Sequence, residues 1–275
     1  MRRRIGIIGC GKMGEAILSN TIKDRDFVLS ICEKKEEIIK NIRRKFLSYR
    51  KRLFIYKDIP KLIENSEIII IAVKPQDIGV VLEKISETLE LIKKRPLFIS
   101  IAAGITTSYL EKKIKFRPKI IRAMPNLAIK VADGITVLKR GHYITESDFR
   151  FASQLFRMMG KVIEIKKEKI MDVVTAISGS GPAYIAFIFE AISEAARLLG
   201  LDKEKSDKLI LQTLLGTAKL LEEECFDTEG LISKVASKRG TTQEALKVFK
   251  KNKLKKIIIK AVISSFKRAK ELSLS

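Results

Sequence analysis

The sequence has little of the chemistry on which many enzymes rely. It contains one histidine, His142, no tryptophan, and three cysteines, Cys10, Cys32 and Cys225, which form no Cys-x-x-Cys pair. This composition predicts no metal site and no dyad of histidine with cysteine or serine. His142 lies in a predicted surface turn and receives no role.

Long apolar runs are also missing. The longest, residues 68–73, is far shorter than the roughly 20 residues that cross a bilayer. Arginines at residues 2–4 precede apolar residues as in a secretory signal, but Lys12 and Glu15 interrupt the apolar stretch that such a signal needs. We therefore expect a cytoplasmic protein without a membrane partner. At 275 residues and 46% hydrophobic, the chain is long enough for one large or two medium domains.

Negative charge is scarce relative to positive charge. The 55 lysines and arginines against 32 acidic residues give a net charge of +23, which raises the hypothesis of nucleic-acid binding. The basic clusters are dispersed along the chain without interleaved aromatic residues, which is typical of solvated helix faces. We expect no specific nucleic-acid partner.

A glycine pattern follows the first apolar run. Residues 4–8 are followed by Gly9-x-Gly11-x-x-Gly14 and then by a helix-like segment. In this order Gly9 permits a sharp turn, Gly11 lets the backbone approach a pyrophosphate, and Gly14 lets the helix pack against the strand. The free N–H groups of the first helical turn would face the phosphates. The pattern predicts a dinucleotide cofactor bound by Gly9, Cys10, Gly11, Lys12, Met13 and Gly14.

The end of the second predicted strand bears on the choice of cofactor. Glu33 stands there, and an acidic residue at this place accepts hydrogen bonds from a ribose 2′-hydroxyl and favours NADH. Lys34 and Lys35 follow at once and would accommodate the phosphate of NADPH. Either NADH or NADPH remains open, and the alternative interpretation of this stretch is an exposed helix start.

Apolar runs alternate with helical spacing over residues 1–165, which predicts a parallel sheet wrapped by helices. The candidate strands are residues 4–8, 27–32, 53–56, 67–73, 96–101, 119–124, 135–138 and 162–165, and the candidate helices are residues 36–46, 78–92 and 146–159. Thr145 is placed to cap the last of these helices. We expect a Rossmann-type doubly wound α/β sheet in this first domain.

Strand signals vanish after about residue 167, and residues 166–275 are predicted to form an all-helical dimerisation and substrate-binding domain. Its candidate helices are residues 172–177, 183–199, 203–223, 231–236 and 242–272. Residues 183–199 are too apolar for a solvated helix and must be buried, either within the domain or in a subunit interface. We therefore expect a homodimer.

Five downstream motifs bring a family into view. They are Ala72-Val73-Lys74-Pro75-Gln76, Ser100-Ile101-Ala102-Ala103-Gly104-Ile105, Arg122-Ala123-Met124-Pro125-Asn126, Ser178-Gly179-Ser180-Gly181-Pro182-Ala183-Tyr184 and Gly240-Thr241-Thr242. In this order, behind the glycine pattern, the sequence resembles pyrroline-5-carboxylate reductase over nearly the whole chain. The most specific element is Ser178 to Tyr184.

This resemblance implies reduction of 1-pyrroline-5-carboxylate to proline, the last step of proline biosynthesis, by hydride transfer to the imine carbon. It implies a Rossmann domain and a helical domain that dimerises, with each active site built from both subunits; larger assemblies of dimers also occur in the family. A threonine at the place of Thr175 contacts the substrate nitrogen, and Glu224 is a second catalytic candidate. Ser237, Gly240, Thr241 and Thr242 are the expected substrate-binding residues.

Local chemistry allows a plainer interpretation of the same motifs. The turns at Val73, Lys74 and Pro75, at Ala102 and Gly104, and at Asn126 follow strands at the ligand-binding edge of an open sheet, yet each also fits an ordinary turn. The stretch at residues 178–182 fits a glycine-rich break between helices, with Pro182 at a first helical position. The loop before Thr242 suits a carboxylate, but a bare helix cap looks identical.

Three departures from the family pattern leave the substrate open. Glu224-Cys225-Phe226-Asp227 stand where an acidic-His-Pro stretch is common. Leu127-Ala128 stand where Thr-Pro is common, and Arg239 stands where a glycine is common. One rival hypothesis is a related reductase of another cyclic imine. Another is a non-catalytic basic protein on a reductase scaffold, suggested by the net charge.

Overall fold

The computed structural model describes residues 2–274, and within them eight strands form a single sheet in the order β3-β2-β1-β4-β5-β6-β7-β8. The strands are β1 (Arg3–Ile8), β2 (Phe27–Cys32), β3 (Leu53–Tyr56), β4 (Ile68–Ile71), β5 (Leu97–Ser100), β6 (Lys119–Pro125), β7 (Gly134–Arg140) and β8 (Gly160–Glu164). The four isoleucines of β4 are buried on both faces, as a central strand covered by helices on each side requires. The predicted strands are confirmed to within three residues at their ends.

Most of the sheet is parallel, but β7 is antiparallel to β6, with Ala123 opposite Leu138. The predicted Rossmann-type sheet is thus confirmed as mostly parallel, and β6 with β7 is its antiparallel pair among the described residues. Residues 126–133 connect the two strands and contain only a 3-10 turn at Leu127–Val131. This connection is too short for a crossover back to the start of β6, so the chain must reverse direction.

Helices cover both faces of the sheet. They are α1 (Lys12–Thr21), α2 (Glu36–Lys45), α3 (Ile59–Glu64), α4 (Ile78–Ile92), α5 (Thr107–Ile114) and α6 (Glu146–Arg157). The predicted cap of α6 is confirmed, since Thr145 Oγ1 accepts a hydrogen bond from Asp148 N at 3.2 Å, within a complete capping box. Two apolar clusters, one on each face, form the core and fix the strand ends that carry the site.

The remaining helices follow β8. They are α7 (Ile170–Val174), α8 (Gly181–Leu198), α9 (Lys203–Glu223), α10 (Thr228–Val235), α11 (Thr241–Lys251) and α12 (Leu254–Leu274). The single helix predicted over residues 242–272 is wrong, because the chain breaks at Asn252 and Lys253, where Lys253 takes a left-handed φ of 54°. Arg239 shows the same kind of backbone, with φ 59°.

The described chain divides into two compact units, with boundaries after Ser180 and after Ser264. The first contains the sheet. In the second, α8 packs on α9, where Ser193 Oγ donates a hydrogen bond to Asp207 Oδ1 at 2.7 Å. The apolar face of α8 is exposed in the single chain, and Phe187 reaches 73% exposure.

One segment among residues 2–274, the helical segment from Ile170 to Leu198, is long and apolar enough to cross a membrane by length and composition alone. The search for unbroken apolar runs in the sequence missed this segment, because glycine, serine and a few charged residues interrupt it. Apolar helices that pack in a core or an interface meet the same criterion, so the observation is weak evidence for a membrane span.

Candidate active site

The glycine turn lies between β1 and α1 and has the shape that a bound pyrophosphate needs. Gly9 has φ 88°, a conformation that favours glycine, and its N–H donates to the Cys32 carbonyl at 2.9 Å. A Cβ on Gly14 would lie 2.2 Å from the Gly9 carbonyl oxygen, so only glycine fits there. A Cβ on Gly11 would have no described atom within 4 Å, which leaves the mouth of the turn open. These residues fit a dinucleotide.

The turn stands where the strand order reverses, between β1 and β4. The next loop along this edge, after β4, closes against it: the Val73 side chain and the Ala72 carbonyl oxygen lie 2.9 Å and 3.0 Å from where a Cβ on Gly9 would stand. Ligands bind in the crevice at such a switch point of an open parallel sheet. The structure thus brings the predicted residues of both loops together.

The rest of the loop after β4 and two more predicted cofactor loops line the same edge. Lys74 is extended, with ψ 152°, as the following Pro75 predicts, and a 3-10 turn follows it. After β5, Ala102 is buried and Gly104 takes φ 78°. After β6, Asn126 Oδ1 accepts a hydrogen bond from Ile135 N at 3.2 Å. The side-chain oxygen of Asn126 therefore caps the turn into β7, which is the plainer of its two predicted roles.

Glu33 follows β2 and holds the glycine turn in place. Its Oε2 accepts a hydrogen bond from Cys10 N at 2.9 Å, while Oε1 accepts from Lys34 N and Lys35 N at 2.8 Å and 3.0 Å. The predicted acidic residue is thus in contact with the predicted phosphate loop. Burial raises the pKa of the Cys10 thiol to about 12, with further contributions from Glu33 and Glu15, so this thiol is neutral and no nucleophile.

Thr175 lies in a π-helical turn, Thr175–Gly179, between α7 and α8. Ser180 N donates to the Thr175 carbonyl at 3.0 Å, five residues back, and Thr175 Oγ1 donates to the Met171 carbonyl at 2.8 Å. The break predicted over residues 178–182 is limited to a bend at Ser180, because the helical turns run up to Gly179 and resume with α8 at Gly181. Pro182 is the second residue of α8, and because it lacks an N–H the regular α pattern cannot continue across it.

A buried charge cluster near Thr175 was missed by sequence reasoning. Arg122, in β6, is 1% exposed and its Nη1 lies 2.7 Å from Glu168 Oε1. Its Nη2 lies 3.9 Å from Asp172 Oδ1. The sequence does contain an indication of this cluster, because Arg122 interrupts the apolar strand from Ile120 to Met124. An arginine buried in such a strand requires a counter-ion.

The second unit contains the other predicted site residues. Glu224 follows α9 as its C-cap, and its Oε1 lies 2.7 Å from Lys234 Nζ, whereas its Oε2 is buried without a hydrogen-bond partner among the described residues. Gly240 caps α11, its N–H donates to the Ser237 carbonyl at 3.0 Å, and Thr241 opens the helix. Among the described residues no side chain accepts a hydrogen bond from the Thr241 or Thr242 amide, so both amides stay available to an anion.

Together, the switch-point crevice and the glycine turn define a Rossmann-type oxidoreductase that uses a nicotinamide dinucleotide. Residues 4–104 match the family model for NADP oxidoreductase, coenzyme F420-dependent, and residues 168–272 match the model for pyrroline-5-carboxylate reductase dimerisation. The chain is 36% identical over 276 residues to pyrroline-5-carboxylate reductase of Synechocystis, covering 99% of each, and 33% identical to that of Methanosarcina acetivorans, covering 98% of each. The chain belongs to the pyrroline-5-carboxylate reductase family.

Solved structures agree. A pyrroline carboxylate reductase of Plasmodium falciparum with NADP bound superposes with a TM-score of 0.86 at 28% identity, over 98% of both chains. The enzyme of Coxiella burnetii superposes with a TM-score of 0.86 at 32% identity, over 99% of both chains. The match to the dimerisation model spans α8, whose apolar face is exposed in the single chain, and the protein is a dimer.

Proposed function

We propose that this protein reduces 1-pyrroline-5-carboxylate to proline with NADH or NADPH. The observation that carries the proposal is the similarity over the whole chain, 36% identity across 99% of it, to a reductase of that name. The open mouth of the glycine turn at Gly11 supports the cofactor half of the proposal independently of any relative.

Different loops bind the two ends of the cofactor and the substrate nitrogen. The turn from Gly9 to Gly14 binds the pyrophosphate, Glu33 lies beside the adenosine ribose, and the loops at Val73 to Pro75, Ala102 to Gly104 and Asn126 line the nicotinamide end. When bound, the reduced nicotinamide supplies the hydride. The Thr175 hydroxyl donates to the Met171 carbonyl in the free protein and rotates to contact the substrate nitrogen when substrate binds. Glu224 is the second candidate to contact that nitrogen.

The substrate carboxylate is bound by the loop from Ser237 to Thr242 of a second subunit, where the amides at the start of α11 and the hydroxyls of Thr241 and Thr242 donate hydrogen bonds. Protonation of the imine nitrogen makes the neighbouring carbon electrophilic, and solvent can supply this proton before binding. The site therefore needs no strong general acid, and orientation contributes several kcal/mol, by rough estimate, to lowering the barrier.

The backbone of Arg239 supports a carboxylate-binding loop at the start of α11. The family commonly has glycine here, and Arg239 adopts a left-handed backbone, φ 59°, of the kind that glycine favours. Its N–H donates to Gln243 Oε1 at 2.8 Å, which anchors the loop to the first turn of α11. The loop thus keeps a glycine-like path in spite of the larger residue.

We further propose the domain boundaries, the cellular location and the partners of the protein. The cofactor domain comprises residues 1–165 and the helical domain residues 166–275. In this proposal the dimer buries the apolar face of α8, the protein inserts in no membrane, and it is cytoplasmic. Its dispersed basic residues serve solubility rather than specific nucleic-acid binding. We also propose that the dimers associate into larger assemblies, as dimers in the family do.

A panel of cyclic imines that differ in ring size and in the carboxylate tests the proposal. We expect oxidation of NADH or NADPH with the five-membered imine that bears a carboxylate, and much slower oxidation with the ring that lacks it. Faster turnover of a six-membered ring would assign the protein to a related imine reductase. Cofactor binding without turnover of any member would contradict an enzymatic role.

A further inference from the structure

Strand β6 contains one arginine, and it is buried. Arg122 is 1% exposed and stands between the apolar residues Ile121 and Ala123. A guanidinium taken out of water is costly unless it is paired. Nη1 lies 2.7 Å from Glu168 Oε1, whereas Nη2 is buried without a hydrogen-bond partner among the described residues and faces Asp172 Oδ1 at 3.9 Å.

Glu168 is held from a second side. Thr107 Oγ1, in the first turn of α5, donates to Glu168 Oε2 at 2.8 Å, so the two oxygens of one carboxylate bridge β6 and α5. Glu168 stands two residues before α7 begins at Ile170. The chain is therefore anchored to the sheet at the point where it enters the long helix.

The same strand contacts this helix again beyond Thr175. Met124, two residues after Arg122 in β6, places its Cε 3.0 Å from where a Cβ on Gly179 would stand. Arg122 thus fixes the segment before Thr175, through Glu168 and Asp172, and Met124 meets it at the end of the π turn. Thr175 lies between these two points, three residues after Asp172.

A π turn interrupts the regular hydrogen bonding of an α-helix. The position of Thr175 therefore depends on the contacts made by the residues on either side of the turn. We infer that Arg122 is a positioning residue for Thr175: through Glu168 and Asp172 it sets the place of the Thr175 hydroxyl relative to the cofactor edge of the sheet. The inference rests on the proposed function. A displacement of about 1 Å at a reacting group costs on the order of a hundredfold in rate, so a loosened flank is expected to show in kcat.

Two variants test this inference. Arg122→Lys keeps the charge but cannot reach both carboxylates. The triple variant Arg122→Met with Glu168→Gln and Asp172→Asn removes the buried guanidinium together with the two carboxylates that face it, so the fold is expected to persist. We expect either variant to lower kcat by about tenfold or more, with Kd for the reduced cofactor within about twofold of the parent.

A double-mutant cycle separates positioning from a merely structural role. If Arg122 acts through Thr175, adding Arg122→Lys to Thr175→Ala lowers kcat far less than Arg122→Lys does in the parent. Lys119→Met is the matched control, because Lys119, in the same strand, pairs with Asp148 of α6 and not with the helix of Thr175. This control is expected to keep the parental kcat.

The kinetic results of these variants distinguish the inference from the proposed function. Equal loss of kcat in both backgrounds, or parental kcat in a folded triple variant, overturns the inference while the proposed function stands. If the triple variant fails to fold, the cycle with Arg122→Lys still decides by the same criterion. A parent protein without turnover contradicts the proposed function itself, and the inference falls with it.

Discussion

The carboxylate of Glu33 accepts a hydrogen bond from the backbone N–H of Cys10 at 2.9 Å, across 23 residues of sequence. The residue that follows β2 is thereby in direct contact with the phosphate-binding turn that follows β1. This contact makes Glu33 a structural support of the turn as well as the predicted partner of the adenosine ribose.

Replacement of Glu33 by serine is expected to shift cofactor preference towards NADPH. The negative charge that disfavours the 2′-phosphate disappears, while Lys34 and Lys35 remain. We expect the ratio of kcat/KM for NADPH to that for NADH to rise about tenfold, since a lost charge repulsion near 1.4 kcal/mol is worth that factor. Glu36→Ser, at an exposed carboxylate paired with Lys57, is the control, and an equal shift there would contradict the assignment.

Substitutions of two glycines in the turn are expected to have different effects, one on the stability of the fold and the other on cofactor binding. Gly14→Ala places a Cβ 2.2 Å from the Gly9 carbonyl oxygen, so we expect a loss of about 1–3 kcal/mol in the free energy of unfolding. Gly11→Ala meets no described atom within 4 Å and should unfold like the parent, yet weaken cofactor binding about tenfold by blocking the phosphates. Urea titration and cofactor titration measure the two effects. Parental cofactor affinity of Gly11→Ala would show that the turn does not hold the pyrophosphate.

Thr175→Ala is expected to lower kcat by about tenfold to a hundredfold while unfolding close to the parent. The hydroxyl of Thr175 bonds the Met171 carbonyl four residues back, and Thr213 makes the same kind of bond to the Leu209 carbonyl in α9. Thr213→Ala is therefore a matched control for loss of such a bond. Equal kcat values for the two variants would remove Thr175 from the catalytic assignment.

Alkaline pH is expected to weaken the folded state through the buried thiols. Burial raises the pKa of Cys10 from 9.0 to about 12 and that of Cys32 from 9.0 to about 11. A raised pKa means that the folded protein keeps its proton where the unfolded chain loses it. The stability from these neutral thiols is thus present below pH 9 and is lost as pH rises towards 11 and 12.

Urea unfolding at pH 8 and pH 10 measures this effect. We expect Cys10→Ala to lose about 1 kcal/mol less than the parent between the two pH values. Cys225→Ala, at an exposed cysteine, is the control and should lose as much as the parent. An identical loss for Cys10→Ala and the parent would contradict the account of the buried thiol.

The sheet and its cofactor edge could be predicted because their signals are local. Apolar runs bounded by turn residues gave β2, β3, α4 and α9 with the observed bounds. Three features depend on information that is not local. The π turn at Thr175 has no periodic signature, the break at Lys253 involves neither glycine nor proline, and the partners of Arg122 lie 46 and 50 residues away along the chain.

The most direct measurement is the stoichiometry of the reaction by the purified dimer, followed as oxidation of reduced cofactor and formation of proline from 1-pyrroline-5-carboxylate. The account predicts one proline formed for each NADH or NADPH oxidised, and little of either product with Thr175→Ala. Tight binding of NADH or NADPH without formation of proline would contradict it.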